Sequence, residues 1–98
     1  MPEVVAFDID GVLTTDEGME LYREFKADPN VSVHVVTARN KTLARDFVFQ
    51  NDLEPDSLHY TQLKGQALSN ISDSGTYYGS WARDRVHARV AGWDYKQI

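Results

Sequence analysis

Apolar residues fall along the chain in two alternating rhythms. Short runs rich in β-branched and aromatic residues stand at Val4 to Phe7, Val31 to Val36 and Thr76 to Tyr78, a composition suited to strands buried on both faces. Ser57 to Tyr60 predicts a further short strand, and the tail Trp93 to Ile98 a fifth. Between them the spacing is helical. Leu21, Tyr22 and Phe25 share one side of a segment from about Glu17 to Lys26, with Asp16 placed to cap it. Leu43, Ala44, Phe47 and Val48 make the stripe of a helix from about Lys41 to Asn51, capped by Asn40. Leu63, Ala67, Leu68 and Ile71 are the inward positions of the next, about Leu63 to Ile71, and Ala82 to Val90 forms a fourth ended by Gly92. Asp28-Pro29-Asn30, Glu54-Pro55-Asp56 and Ser72-Asp73-Ser74-Gly75 supply turns. Strands alternating with helices predict an α/β fold: a mainly parallel sheet of four or five strands, with helices on both faces.

Composition narrows this to one unit. With 98 residues, 42% hydrophobic and 26% charged, the chain has length for a single domain over 1–98 and none to spare for a second. Such a domain buries about 60 to 70% of its unfolded surface, so a partner subunit would add useful burial and a homo-oligomer is compatible with the sequence. The absence of cysteine excludes disulfides, thiolate metal sites and cysteine nucleophiles, and suits a reducing compartment. Met1-Pro2-Glu3 has no secretory character and no long apolar run follows, so the expectation is a cytoplasmic protein with no membrane partner.

The net charge of −5 is uneven: the first 60 residues hold 12 acids against 5 bases, the remainder 3 against 5. That balance argues against tight non-specific nucleic-acid binding. Only Arg83, Arg85 and Arg89 offer a local basic rim, and Arg85 and Arg89, one helical turn apart, equally describe a solvated face.

The candidate chemistry gathers at Phe7-Asp8-Ile9-Asp10-Gly11-Val12-Leu13-Thr14. Ligands of α/β proteins sit in the crevice beyond the carboxyl ends of the strands, which is where Asp8 and Asp10 fall. While the run stays extended, alternation sends both side chains the same way, and Gly11 then permits a tight departure. Two carboxylates so close repel unless a cation joins them, which favours a divalent metal with oxygen ligands, most simply Mg2+. An acidic turn after a strand is the plainer alternative.

Asp8-Ile9-Asp10-Gly11-Val12-Leu13-Thr14 resembles the signature loop of the haloacid dehalogenase (HAD) superfamily of aspartate-nucleophile phosphatases. Three further segments follow in that family's order. Val35-Val36-Thr37-Ala38-Arg39 is similar to its second motif, and Gln62-Leu63-Lys64-Gly65 to its third. Tyr78-Gly79-Ser80-Trp81-Ala82-Arg83-Asp84 resembles its Gly-Asp-x-x-x-Asp segment, with Ser80 where the first acid belongs. Asp73 is no substitute, because it precedes the fourth predicted strand.

The resemblance implies a three-layer, Rossmann-like domain and a magnesium-dependent phosphomonoester hydrolase. Asp8 would be the nucleophile that forms an aspartyl-phosphate, and Asp10 the acid and base. Mg2+ would sit on the Asp8 carboxylate, the Asp10 backbone carbonyl and Asp84, while Thr37 and Lys64 hold the transferring group. Arg39 could touch the substrate phosphate or be a solvated loop residue, and the Ser80 hydroxyl could hold a metal-bound water. Neither interval where such proteins insert a cap domain, Thr15 to Val31 or Asn40 to Lys64, has room for one. An uncapped site suits a phosphorylated substrate such as a nucleotide, a polynucleotide end, a sugar phosphate or a phosphoprotein. Two rivals stand beside this reading. One is a non-catalytic phosphate-binding or structural module of the same fold, for which Ser80 is the evidence. The other is a phosphorelay receiver domain, whose acceptor acid would be needed where the chain has Tyr60-Thr61. His34, His59 and His87 are scattered and read as packing or surface residues.

Overall fold

In the computed structural model, which describes residues 3–98, strands and helices alternate along the chain. The strands are β1 (Glu3–Phe7), β2 (Val31–Thr37), β3 (Ser57–Tyr60), β4 (Thr76–Gly79) and β5 (Asp94–Gln97). The helices are α1 (Asp16–Lys26), α2 (Lys41–Gln50), α3 (Lys64–Ile71) and α4 (Ala82–Val90). All neighbouring strands are parallel, in the order β3-β2-β1-β4-β5. The chain first builds outward from β1 to β3 and then returns to add β4 on the other side. The reversal makes the gap between β1 and β4 the crevice where α/β sheets bind ligands.

Alternation along β1 divides the core. Val5 and Phe7 join Val33 and Val35 on one face, beneath Tyr22 and Phe25 of α1 and Ala44 and Phe47 of α2. Ala6 joins Val36 and Tyr77 on the other, beneath Ala67 and Leu68 of α3 and Ala88 of α4. Helices therefore cover both faces, the three-layer arrangement of a Rossmann-like fold. Phe7 stacks on Tyr78 at 4.8 Å and meets Tyr22 edge-on at 5.5 Å, so β1 is clamped to both α1 and β4 just before its functional end.

Several local expectations need correction. Thr15, not Asp16, caps α1: its hydroxyl oxygen accepts the Gly18 N–H at 3.0 Å while its own proton goes to the Val12 carbonyl. A hydroxyl can serve both ends of that corner, whereas a carboxylate only accepts. Leu43 and Leu63 are 52% and 64% exposed. In α2 the periodic stripe is wider than the contact, which runs through Ala44, Phe47 and Val48. Leu63 precedes α3, whose first residue is Lys64, and lies outside the helical periodicity altogether.

His34 and His59 are tied into the sheet by its own serines. Ser57 Oγ lies 2.6 Å from His34 Nδ1 and 2.8 Å from His59 Nε2, and Ser32 Oγ lies 3.0 Å from His34 Nε2. Burial lowers the pKa of both imidazoles. Among the described residues no helix is long and apolar enough to cross a membrane.

Candidate active site

The loop after β1 is held from within. Thr14 N–H closes on the Ile9 carbonyl at 3.2 Å, Gly11 N–H donates to Thr14 Oγ1 at 2.9 Å, and Ile9, Val12 and Leu13 are buried. Gly11 adopts φ +77°, and a Cβ there would collide with the Ser80 side chain. The residue is thus required both by the backbone and by the neighbour it faces. Asp8 leaves β1 in extended conformation and is 3% exposed; its Oδ1 accepts the Ile9 N–H at 2.8 Å.

Lys64, 6% exposed at the start of α3, reaches across the crevice to join two buried acids. Its Nζ lies 3.1 Å from Asp8 Oδ2 and 2.8 Å from Asp84 Oδ1. This ammonium faces two carboxylates and lies 5.8 Å from the Tyr77 ring centre, so its own burial is compensated. The other Asp84 oxygen receives the Ser80 and Trp81 N–H groups at 3.3 and 3.4 Å, closing the start of α4. Gly79 makes room for it: a Cβ at that position would run into the Asp84 carboxylate. Burial pushes the Asp8 carboxyl up to about 6; Lys64 opposes that rise and the Asp84 charge adds to it.

Asp10 stands in a different setting. Its side chain is 55% exposed and is gripped by Arg39, whose Nη2 and Nε donate at 2.7 and 3.0 Å. The Arg39 guanidinium in turn lies 5.2 Å from the centre of the Phe47 ring, which fixes its direction. Those hydrogen bonds hold the Asp10 carboxyl below its ordinary range, against partial burial. Both acids line one cleft, although β1 ends at Phe7 and the chain coils from Ile9 to Leu13, so strand alternation is not what brings them there, and each has its own cation.

That cleft has a volume of about 640 Å³ and is lined by Asp8, Asp10, Lys64 and Asp84, with Ala38, Gln62, Trp81, Arg83 and His87 around them. Thr37 is fully buried and outside the lining; its Oγ1 accepts the Arg39 N–H at 3.1 Å, shaping the loop that presents the guanidinium. Ser80 Oγ donates to the Asp10 backbone carbonyl at 2.9 Å. The loops after β1 and β4 are thereby joined through Ser80.

A hard divalent cation takes oxygen donors. The Asp8 carboxylate, the Asp10 carbonyl and the Ser80 hydroxyl are of that type, and Asp8, Lys64 and Asp84 together keep one negative charge. These donors are of the chemical type that such an ion takes. Among the described residues no three His, Asp or Glu side chains gather to hold a metal by themselves, so backbone and hydroxyl oxygens would have to complete the set. Both oxygens of Asp84, like both of Asp8, already have protein partners, and the Ser80 hydroxyl is bonded to the Asp10 carbonyl, so a cation would enter by replacing some of these contacts.

Residue reasoning passed over Trp81, Gln62 and His87 as contributors to this cleft. The available signal was a tryptophan directly after Ser80, in a turn where a structural residue would be small or polar. Comparison with protein-family models, curated proteins and solved structures found no match.

Proposed function

We propose that the chain is a magnesium-dependent phosphomonoester hydrolase of the haloacid dehalogenase type, working through an aspartyl-phosphate. The observation that carries this reading is Lys64 joining buried Asp8 and Asp84 at the β1–β4 crevice, beside a cleft of about 640 Å³. A carboxylate is a poor nucleophile in water, but desolvation raises its basicity, and the Lys64 ammonium keeps part of its population ionised and aimed. In the proposed reaction an Asp8 oxygen bonds to phosphorus as the ester P–O bond breaks. Asp10 supplies the proton taken by the leaving oxygen, then accepts one from the water that cleaves the aspartyl-phosphate, releasing phosphate and restoring both acids. A bound Mg2+, held by the Asp8 carboxylate and the Asp10 carbonyl, would neutralise charge as two anions approach.

Arg39 bears on the second role. Paired with it, Asp10 is held ionised and unable to donate, so the acid step requires that the guanidinium turn to the substrate phosphate and free the carboxyl. Ser80 favours a second reading, a phosphate-binding module without turnover, because the hydroxyl brings no charge to the cation site. The deciding assay is hydrolysis of an aryl phosphate with and without Mg2+. Magnesium-dependent turnover, lost by about a thousandfold or more in a folded Asp8→Asn, is the expected result. No turnover with retained phosphate binding would establish the second reading.

A further inference from the structure

One feature of the cleft is not used by that chemistry. A phosphoryl group fills a small part of about 640 Å³, a volume in the range of sites that enclose a whole small ligand. The remainder of the lining is Ala38 after β2, Gln62 before α3, Trp81 just before α4, and Arg83 and His87 in the first and last turns of α4. Trp81 is 63% exposed. Its main chain is nevertheless fixed, since its N–H donates to Asp84 and its carbonyl accepts the Tyr95 hydroxyl at 3.1 Å. A rigid backbone thus presents a large π-face to solvent one residue from Ser80, where the fold gains nothing by exposing it.

Resting on the phosphatase reading, we infer that the leaving group is a nucleoside, the substrate being a nucleoside monophosphate whose base stacks on the Trp81 indole. An aromatic platform takes any base through its π-face, and Arg83 adds a cation to the same cleft lining. A bare phenyl ring would use the indole alone. A base edge also takes hydrogen bonds, and the rim offers them: Gln62 Nε2 donates to the Ala38 carbonyl at 3.2 Å, which leaves its side-chain oxygen as an acceptor, and His87 adds an imidazole. A sugar phosphate would leave the platform uncovered. A long polynucleotide meets a chain of net charge −5, which favours the mononucleotide.

The test compares adenosine 5′-monophosphate with ribose 5-phosphate, identical at phosphorus and different only in the base. The intact protein should prefer the nucleotide by about tenfold or more in kcat/KM. Trp81→Ala should remove most of that preference, through KM, and Trp81→Phe should keep most of it. A ratio near one in the native protein, or a ratio unmoved by Trp81→Ala, overturns the assignment. Should neither compound nor an aryl phosphate be hydrolysed, the phosphatase reading fails, and the platform is judged by fluorescence. Nucleotide should then quench the exposed Trp81, with buried Trp93 as the constant background, and ribose 5-phosphate should not; equal or absent quenching overturns it. Tighter binding of a 5′-phosphorylated oligonucleotide than of the mononucleotide would replace this substrate class with a polynucleotide end.

Discussion

Asp8 and Asp10 stand two residues apart in one loop, yet the fold treats them as opposites. Asp8 is buried and shares Lys64 with Asp84; Asp10 is half in solvent and pairs with Arg39. The first carboxyl is driven up to about 6 and the second is held down. The lesson is that a pair of identical side chains acquires two roles from desolvation and from the type of cation each meets. An ammonium in the interior is costly to leave alone, whereas a guanidinium at the surface is a replaceable partner.

The strongest way to break the contrast is to delete the buried cation. Lys64→Met should lose about 3 to 5 kcal/mol of stability at neutral pH, because two buried carboxylates are left facing one another. Urea unfolding measures it. A loss below about 1 kcal/mol would place Asp8 and Asp84 in a far wetter setting than their burial indicates.

A pH series sharpens the comparison next. Asp8 has a folded pKa above its ordinary 3.8, so the stability tied to its protonated form is complete below about pH 4 and is lost as pH rises through about 6. The change is about 2 to 3 kcal/mol. Asp10 has the opposite sign: its contribution is present at neutral pH and lost as pH falls through its lowered folded pKa. Unfolding curves of the native protein against Asp8→Asn and Asp10→Asn, from pH 3 to 8, should therefore give pH-dependent differences of opposite slope. Slopes of the same sign would show that one environment governs both acids.

Ser80 tests whether the two settings share a cation. Ser80→Asp adds a charge beside the Asp10 carbonyl and should tighten Mg2+ binding by on the order of tenfold in calorimetry. Unchanged affinity would remove the loop after β4 from the metal site. The smallest effect belongs to Arg39→Met, which breaks an exposed pair and should cost about 1 kcal/mol or less. Its informative readout is the Asp10 carboxyl, whose titration by NMR should move up toward 3.8; an unmoved titration would mean that Arg39 is not what holds it down.

Much of this was legible in the chain. The rhythm of Val4 to Phe7, Val31 to Val36 and Thr76 to Tyr78 marked the strands, and the intervening periodic segments marked α1 to α4, because burial on both faces and on one stripe leave distinct spacings. Asp8, Asp10, Lys64 and Asp84 were picked out by motif and do line one cleft. Caps and margins were harder: Thr15 displaced Asp16 through a hydrogen bond to Val12 that no propensity encodes, and Leu43 and Leu63 are exposed because periodicity records an apolar position without recording what packs on it.

The sequence by itself determined an α/β chain, with the candidate acids Asp8 and Asp10 just after its first strand and Gly11 to let the chain turn away there. Those are local facts, written in neighbouring residues. Only the tertiary structure decided that Lys64, 56 residues from Asp8, sits between it and Asp84, that Arg39 takes Asp10, and that the buried Thr37 hydroxyl accepts the Arg39 N–H. Only it placed Trp81 on the rim. The physical reason is that desolvation and pairing depend on what the strand order brings across the β1–β4 crevice, and that order is settled by the packing of the whole sheet.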